Sequence, residues 1–384
     1  MPRPLRVAFV SHYPHLRMGG QRATALLIEH FDRRLVQPIG ICPGPGELTD
    51  YLRAIDCPVT HVPLHPIKPR TLLAVWRSVR QIRALLHQEA IDVIAPDSPR
   101  DVLVTGLAKL GTPTTLVWFV RLTRRDRLDP ILERLADGFI ADSDATRNRF
   151  SASPRVTRLY RTIHGGADLR WFRPVADRAA LRQELGLPPA APVLLFVGQV
   201  THGKGILDVV SGLGRLATLG VAAPVLVVAG TPSPPSITAE IEATARAGGV
   251  WDRVRMVGQQ EGVQRWMQAA DLLVSASHED TEGMSRVLYE AMACGLVPVA
   301  TDIRGNREAV TPDVGVLVPE QAPAELARAV ATLLAQPDRR AALAAQGVRR
   351  AREEFDITRH ARAVEQFLLE HRRPEIAAAT ARGP

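Results

Sequence analysis

Glu282 and Glu290 are separated by seven residues within the stretch Ser275 to Val310, and their surroundings say more than the spacing. A glycine-containing turn, Glu282-Gly283-Met284-Ser285, opens directly into a helical apolar pattern, Val287, Leu288, Ala291 and Met292. A tight exit at Cys294-Gly295 leads into a buried-strand run, Val297 to Ala300. A glycine beside a helix start presents free backbone N–H groups and the positive end of the helix dipole, which suits an anionic ligand. Carboxylates make poor phosphate ligands but good acceptors for hydroxyl groups. Phosphate-binding N–H groups beside hydroxyl-binding carboxylates read as a nucleotide-sugar site. The bland alternative is one acid at a helix start and one solvated acid, which leaves the small-residue run after Glu290 without a reason.

A second block has the chemistry of a phosphate loop. Leu195-Phe196-Val197-Gly198-Gln199 is a buried strand with its exit, followed by Thr201-His202-Gly203-Lys204-Gly205 and a helix from Ile206. Glycines let backbone approach oxygen, and a cation sits beside them. The cations of this chain are otherwise arginine except for Lys68 and Lys109, which makes Lys204 informative. Gly198, Gly230 and Gly258 each end a strand candidate in turn, and open parallel sheets bind ligands at the carboxyl ends of strands.

Together these blocks resemble the signature of retaining glycosyltransferases of the family 4 (group 1) type, which have the GT-B fold. Glu282-Gly283, then Glu290-Ala291-Met292-Ala293-Cys294-Gly295 and Pro298-Val299-Ala300-Thr301 match that signature, while Met284 and Ser285 stand where Phe and Gly are usual. The resemblance implies that Glu290 accepts hydrogen bonds from the ribose hydroxyls and that Glu282 faces the transferred sugar. It also implies that Gly283, Met284 and Ser285 offer N–H groups to sugar or phosphate, that Lys204 holds the donor diphosphate, and that Gly230 and Gly258 belong to the donor pocket. Gln199 replaces the arginine usual after Gly198, removing a charge and a forked donor. In the N-terminal half, Gly19-Gly20 after Met18 matches a family turn near donor phosphate and acceptor. The histidine usual after a later strand is missing, and Arg121 stands near its place.

By the same resemblance the donor is a nucleoside diphosphate sugar used as substrate, with neither cofactor nor metal. The acceptor is a hydroxyl of a carbohydrate, a lipid-linked saccharide or a small molecule, and cell-surface glycan assembly is the expected setting. Gln199 and the missing histidine keep open a non-catalytic GT-B partner protein, or another nucleotide-sugar enzyme on this fold.

These residues need a scaffold of strands with ligand-facing ends. Over 384 residues, strand-like runs alternate with helix-period segments, as in parallel sheets covered on both faces. The strand candidates are 5–11, 36–41, 91–95, 115–120, 138–141, 193–198, 224–229, 254–257, 271–275 and 297–300. The expected architecture is α/β, two Rossmann-like domains with parallel sheets that the GT-B resemblance makes face each other across a cleft. Residues 1–172 are read as the N-terminal, acceptor-side domain and the proline-rich 173–191 as a linker. Residues 192–355 are read as the nucleotide-sugar-binding domain, 356–372 as a helix returning to the first domain, and 373–384 as a disordered tail.

The net charge of +8 suits an anionic partner: nucleic acid, a membrane face or phosphorylated substrates. No basic-aromatic alternation or recognisable module supports nucleic acid. Arg77-Arg80-Arg83 and the cluster Arg121 to Arg127 read either as contacts to anionic lipid or as a solvated face. Cys42, Cys57 and Cys294 lack metal-like spacing and read as free thiols, so the expected location is the cytoplasm, peripheral to the inner membrane face.

Overall fold

Uninterrupted apolar runs form most strands, because helices cover both faces of each sheet. Thr115-Leu-Val-Trp-Phe-Val is buried at every position. The computed structural model describes residues 3–372 apart from 17–18, 151–152, 154–155, 157–158, 222–223 and 280–281. Met18, Asp280 and the tail 373–384 therefore lie outside the described residues. The chain forms two units, one of residues 1–165 with the segment from 357 onward, the other of residues 166–356.

The first unit holds a seven-stranded sheet in the order β3-β2-β1-β4-β5-β6-β7. The strands are β1 (Leu5–Val10), β2 (Val36–Cys42), β3 (Val59–His61), β4 (Val93–Pro96), β5 (Thr115–Val120), β6 (Gly138–Ala141) and β7 (Tyr160–Thr162). Every pairing is parallel. Strand order reverses between β1 and β4, which leaves a crevice at their carboxyl ends.

The second unit repeats the plan with six strands in the order β10-β9-β8-β11-β12-β13. They are β8 (Val193–Val197), β9 (Val225–Ala229), β10 (Val254–Gly258), β11 (Leu272–Ser275), β12 (Val297–Thr301) and β13 (Val316–Val318), again all parallel. This is the dinucleotide-fold order, with its reversal between β8 and β11. β3, β7 and β13 are absent from the sequence reading. Each is a three-residue edge strand, too short to show a pattern.

The segment expected as a linker is a docked part of the second unit. Its helix Arg178–Glu184 is capped by Asp177, whose side chain accepts the Ala180 N–H at 2.9 Å. Arg178 and Arg182 both donate to Asp271, at 2.8 and 2.5 Å, and Asp271 also accepts the Val193 N–H at 2.7 Å. These bonds tie the segment to the starts of β8 and β11. Its prolines signalled a break in secondary structure, but the arginines anchor it.

The first unit begins and ends the chain. The Ala167 N–H donates to the Phe355 carbonyl at 2.7 Å, so the two strands of chain leaving the second unit run side by side. From there the helix Ile357–Glu370 packs on the helix Gly19–Glu29 of the first unit. Glu365 accepts the Asp32 N–H at 2.5 Å, and Arg161 pairs with Glu370 at 2.7 Å. Among the described residues no helix is long and apolar enough to cross a membrane.

Candidate donor site

The crevice between β8 and β11 collects most of the residues that the sequence singles out. β8 runs out at Gly198, whose φ is 146°. A Cβ on Gly230 would collide with the Gly198 carbonyl, so only glycine lets the ends of β8 and β9 come this close. The Gly230 N–H in turn donates to the Gly258 carbonyl at 2.8 Å, so Gly198, Gly230 and Gly258 form one connected rim. Gln199 is exposed beside that rim, next to buried Val200.

The loop after β8 is drawn onto the segment after β11. Thr201 Oγ1 accepts the Lys204 N–H at 3.2 Å and closes the single turn His202–Lys204. Gly205 follows in the left-handed region, φ 65°, pressed against the Ala276 carbonyl where a Cβ would collide. The His278 N–H donates to the Gly203 carbonyl at 2.9 Å. This clamp brings Lys204 Nζ to 2.6 Å from Glu282 Oε1. The other oxygen, Glu282 Oε2, is buried without a hydrogen-bond partner among the described residues. A buried carboxylate oxygen lacking a donor is costly and suits a ligand hydroxyl.

Glu282 lies in the turn before the helix Arg286–Ala293, so the glutamates do not share one helical face. Gly283, Met284 and Ser285 form the buried approach to that helix, whose N-cap Ser285 makes no side-chain cap. The orphan N–H groups of a helix start are thus left to other acceptors. Gly283 is held from behind by Gly305, where a Cβ would collide with the Gly283 carbonyl. The sequence reading missed Gly305. Its signal was a glycine opening a helix shortly after β12.

Glu290 is 6% exposed and pairs with Arg286 at 2.8 Å, one helical turn away. Burial works against the Arg286 charge, but Glu290 and Tyr289 outweigh it and hold its pKa above the usual arginine value. One carboxylate oxygen of Glu290 is thereby engaged.

In the first unit, the matching crevice between β1 and β4 holds the remaining site residues. Gly19 opens the helix Gly19–Glu29, and a Cβ on Gly20 would touch Arg121 Cδ at 3.4 Å. Arg121 donates to Thr24 Oγ1 at 2.9 Å, and its Nε lies 3.9 Å from Asp97 Oδ2. Arg121 is therefore turned onto the start of that helix, away from the exposed Arg124, Arg125 and Arg127. Burial pushes the Asp97 carboxyl up to about 6, against the pull of Arg121.

A pair unforeseen from sequence stands beside it. His12, just past β1, places Nδ1 2.7 Å from Oδ2 of Asp101, whose side chain is fully buried. The signal was Ser98-Pro99-Arg100-Asp101, a helix-capping pattern in which Ser98 Oγ accepts the Asp101 N–H at 3.2 Å.

Residues 177–350 match the family described as Glycosyl transferases group 1. That match lies within the second unit and takes in less than half of the chain. It is 35% identical to a D-inositol 3-phosphate glycosyltransferase of Segniliparus rotundus, over 64% of this chain and 57% of that protein. It spans about half the length of the curated relatives of that name. A lipopolysaccharide core biosynthesis mannosyltransferase, LpsB of Rhizobium meliloti, is 27% identical over 91% of this chain and 93% of its own length. Among solved structures, Anabaena Alr3699/HepE in complex with UDP and glucose superposes with a TM-score of 0.84 at 21% identity. That likeness covers 95% of this chain and 100% of the other, and it gives this chain the GT-B fold of two Rossmann-like units.

Proposed function

We propose that this protein transfers a sugar from a nucleoside diphosphate sugar to an acceptor hydroxyl, with retention of anomeric configuration and without a metal. The observation that carries the reading is the Lys204–Glu282 contact at the carboxyl ends of β8 and β11, beside a helix start with uncapped N–H groups. A diphosphate gains negative charge as the glycosidic bond breaks. Lys204 and the N–H groups of Gly283, Met284 and Ser285 stabilise that charge from fixed positions. The diphosphate draws Lys204 away from Glu282, whose carboxylate then accepts hydroxyls of the transferred sugar. Glu290, oriented by Arg286, takes the ribose. Gly198, Gly230 and Gly258 hold the rim of the pocket, with Gln199 giving a hydrogen bond where a charge is usual. Gly19, Gly20 and Arg121 serve the acceptor or phosphate side.

The solved relative with UDP and glucose makes a uridine diphosphate hexose the first donor to try. The lipopolysaccharide-core relative favours a glycan or glycolipid acceptor. The basic clusters Arg77-Arg80-Arg83 and Arg124 to Arg127 suit an anionic membrane surface, and with it a cytoplasmic position at the inner face. A thermal-shift series with UDP-, GDP-, dTDP- and ADP-sugars tests the reading. One donor raises Tm in the wild type and less in Glu290→Gln. No shift with any donor would overturn it.

A further inference from the structure

We infer that the N-terminal end of the helix Leu72–Gln88, with the loop before it, is a wedge that inserts into the interface of an anionic lipid bilayer. The inference rests on the membrane reading above and adds an apolar, inserting contact to an electrostatic one.

Four large apolar side chains are left in water here. Leu72 is 56% exposed, Leu73 77%, Trp76 57% and, in the loop, Ile67 37%. Their helix already has a core face, since Val75, Val79, Ile82 and Leu86 are buried. At about 100° per residue those core positions fall within an arc of about 60°, while Leu72, Trp76 and Leu73 fall within an adjoining arc of about 100° that the core does not cover. Exposed apolar side chains gathered this way mark an interaction site rather than chance exposure.

The charges around them choose the partner. From Cys57 to Gln88 the chain has no aspartate or glutamate, yet it carries Lys68, Arg70, Arg77, Arg80 and Arg83. On the helix the apolar residues lie within the first five positions, and Arg77 and Arg80 follow along the same exposed side. At 1.5 Å per residue, Arg80 stands about 12 Å along the axis from Leu72. An apolar tip with arginines behind it fits acyl boundary below and phosphate headgroups above. Trp76 sits at the transition, where indole rings settle in bilayers. The helix also lowers its N-terminus, the positive end of its dipole, toward the anionic surface.

Vesicles of phosphatidylcholine with phosphatidylglycerol, and of phosphatidylcholine alone, provide the test by co-sedimentation across a salt series. Wild type should bind the anionic vesicles and shift its tryptophan emission to the blue, a shift absent in Trp76→Leu. Leu72→Ser with Leu73→Ser and Trp76→Ser should lower partitioning about tenfold or more at low salt, with Tm unchanged because the residues are exposed. Arg77→Gln with Arg80→Gln should weaken binding and flatten its salt dependence. If wild type fails to bind at low salt, the membrane reading fails and the wedge with it. If wild type binds but the serine variant binds equally, the wedge alone is overturned. If light scattering shows a wild-type dimer that the serine variant makes monomeric, the surface is a self-association face and the inference is wrong.

Discussion

The Lys204 ammonium lies 2.6 Å from the Glu282 carboxylate, although three sheet strands and several helices separate them in the chain. The contact exists because Gly205 lets the loop after β8 press on the segment after β11. In the proposed mechanism this contact pairs the cation for the diphosphate with the carboxylate for the sugar.

Lys204→Ala should therefore lose about 10²–10³ in kcat while KM for the donor changes less, because a preorganised donor acts mainly on developing charge. Steady-state kinetics with a saturating acceptor reads both constants. A variant with wild-type kcat removes Lys204 from the chemistry.

The two glutamates should separate by ligand. Glu290→Gln weakens nucleoside diphosphate and donor sugar alike, by about 1–3 kcal/mol for a charge-assisted hydrogen bond. Glu282→Gln weakens the sugar donor and leaves the free diphosphate nearly untouched. Calorimetric titration of both ligands into both variants decides, and equal losses at both positions would undo the division of roles. Glutamine is preferred to alanine at position 290 because the half-buried Arg286 pairs with that side chain.

Gln199→Arg should be tolerated or should raise turnover. Gln199 is exposed beside the rim, so an arginine has room to reach the phosphate region. A fall in kcat with unchanged Tm would show that another group already fills the position.

Turnover should survive a chelator, since Lys204 and backbone N–H groups carry the leaving-group charge in the proposed mechanism. An activity loss on EDTA that manganese or magnesium restores counts against that mechanism.

Asp97 gives a pH signature in stability. Burial raises its carboxyl to about 6 in the fold from the ordinary value of 3.8. The native state then holds a proton that the unfolded chain releases, so this group's contribution to stability falls as pH rises from about 4 to about 6. The penalty is absent below that window and complete above it. Relative to wild type, Asp97→Asn should gain Tm between pH 4 and pH 7. A Tm difference that stays flat across that range would show that Asp97 ionises in the fold as it does in water.

Much of the scaffold was legible because its strands are continuous apolar runs, a local property. The strands β8, β9, β11 and β12 could be read this way, and with them the glycines at or just beyond the ends of β8 and β9. Edge strands of three residues carry no such pattern. The docking of 173–191 was hidden for a different reason. Prolines are visible one residue at a time, whereas the meeting of Arg178 and Arg182 with Asp271 is a property of the folded sheet. Gly305 and the His12–Asp101 pair were missed likewise, since each is explained by a neighbour distant in sequence.

The helix Ile357–Glu370 has a consequence for how the protein is made. Its buried Phe367 and Leu368 and its Glu365, which accepts the Asp32 N–H, complete the core of the unit that the ribosome produces first. Domains commonly fold as they emerge from the ribosome. Here residues 1–165 must wait, with that apolar face uncovered, until the whole second unit has been synthesised. The unit translated first is thus the one finished last, and a ribosome stalled anywhere in the second half leaves it open to chaperones and proteases.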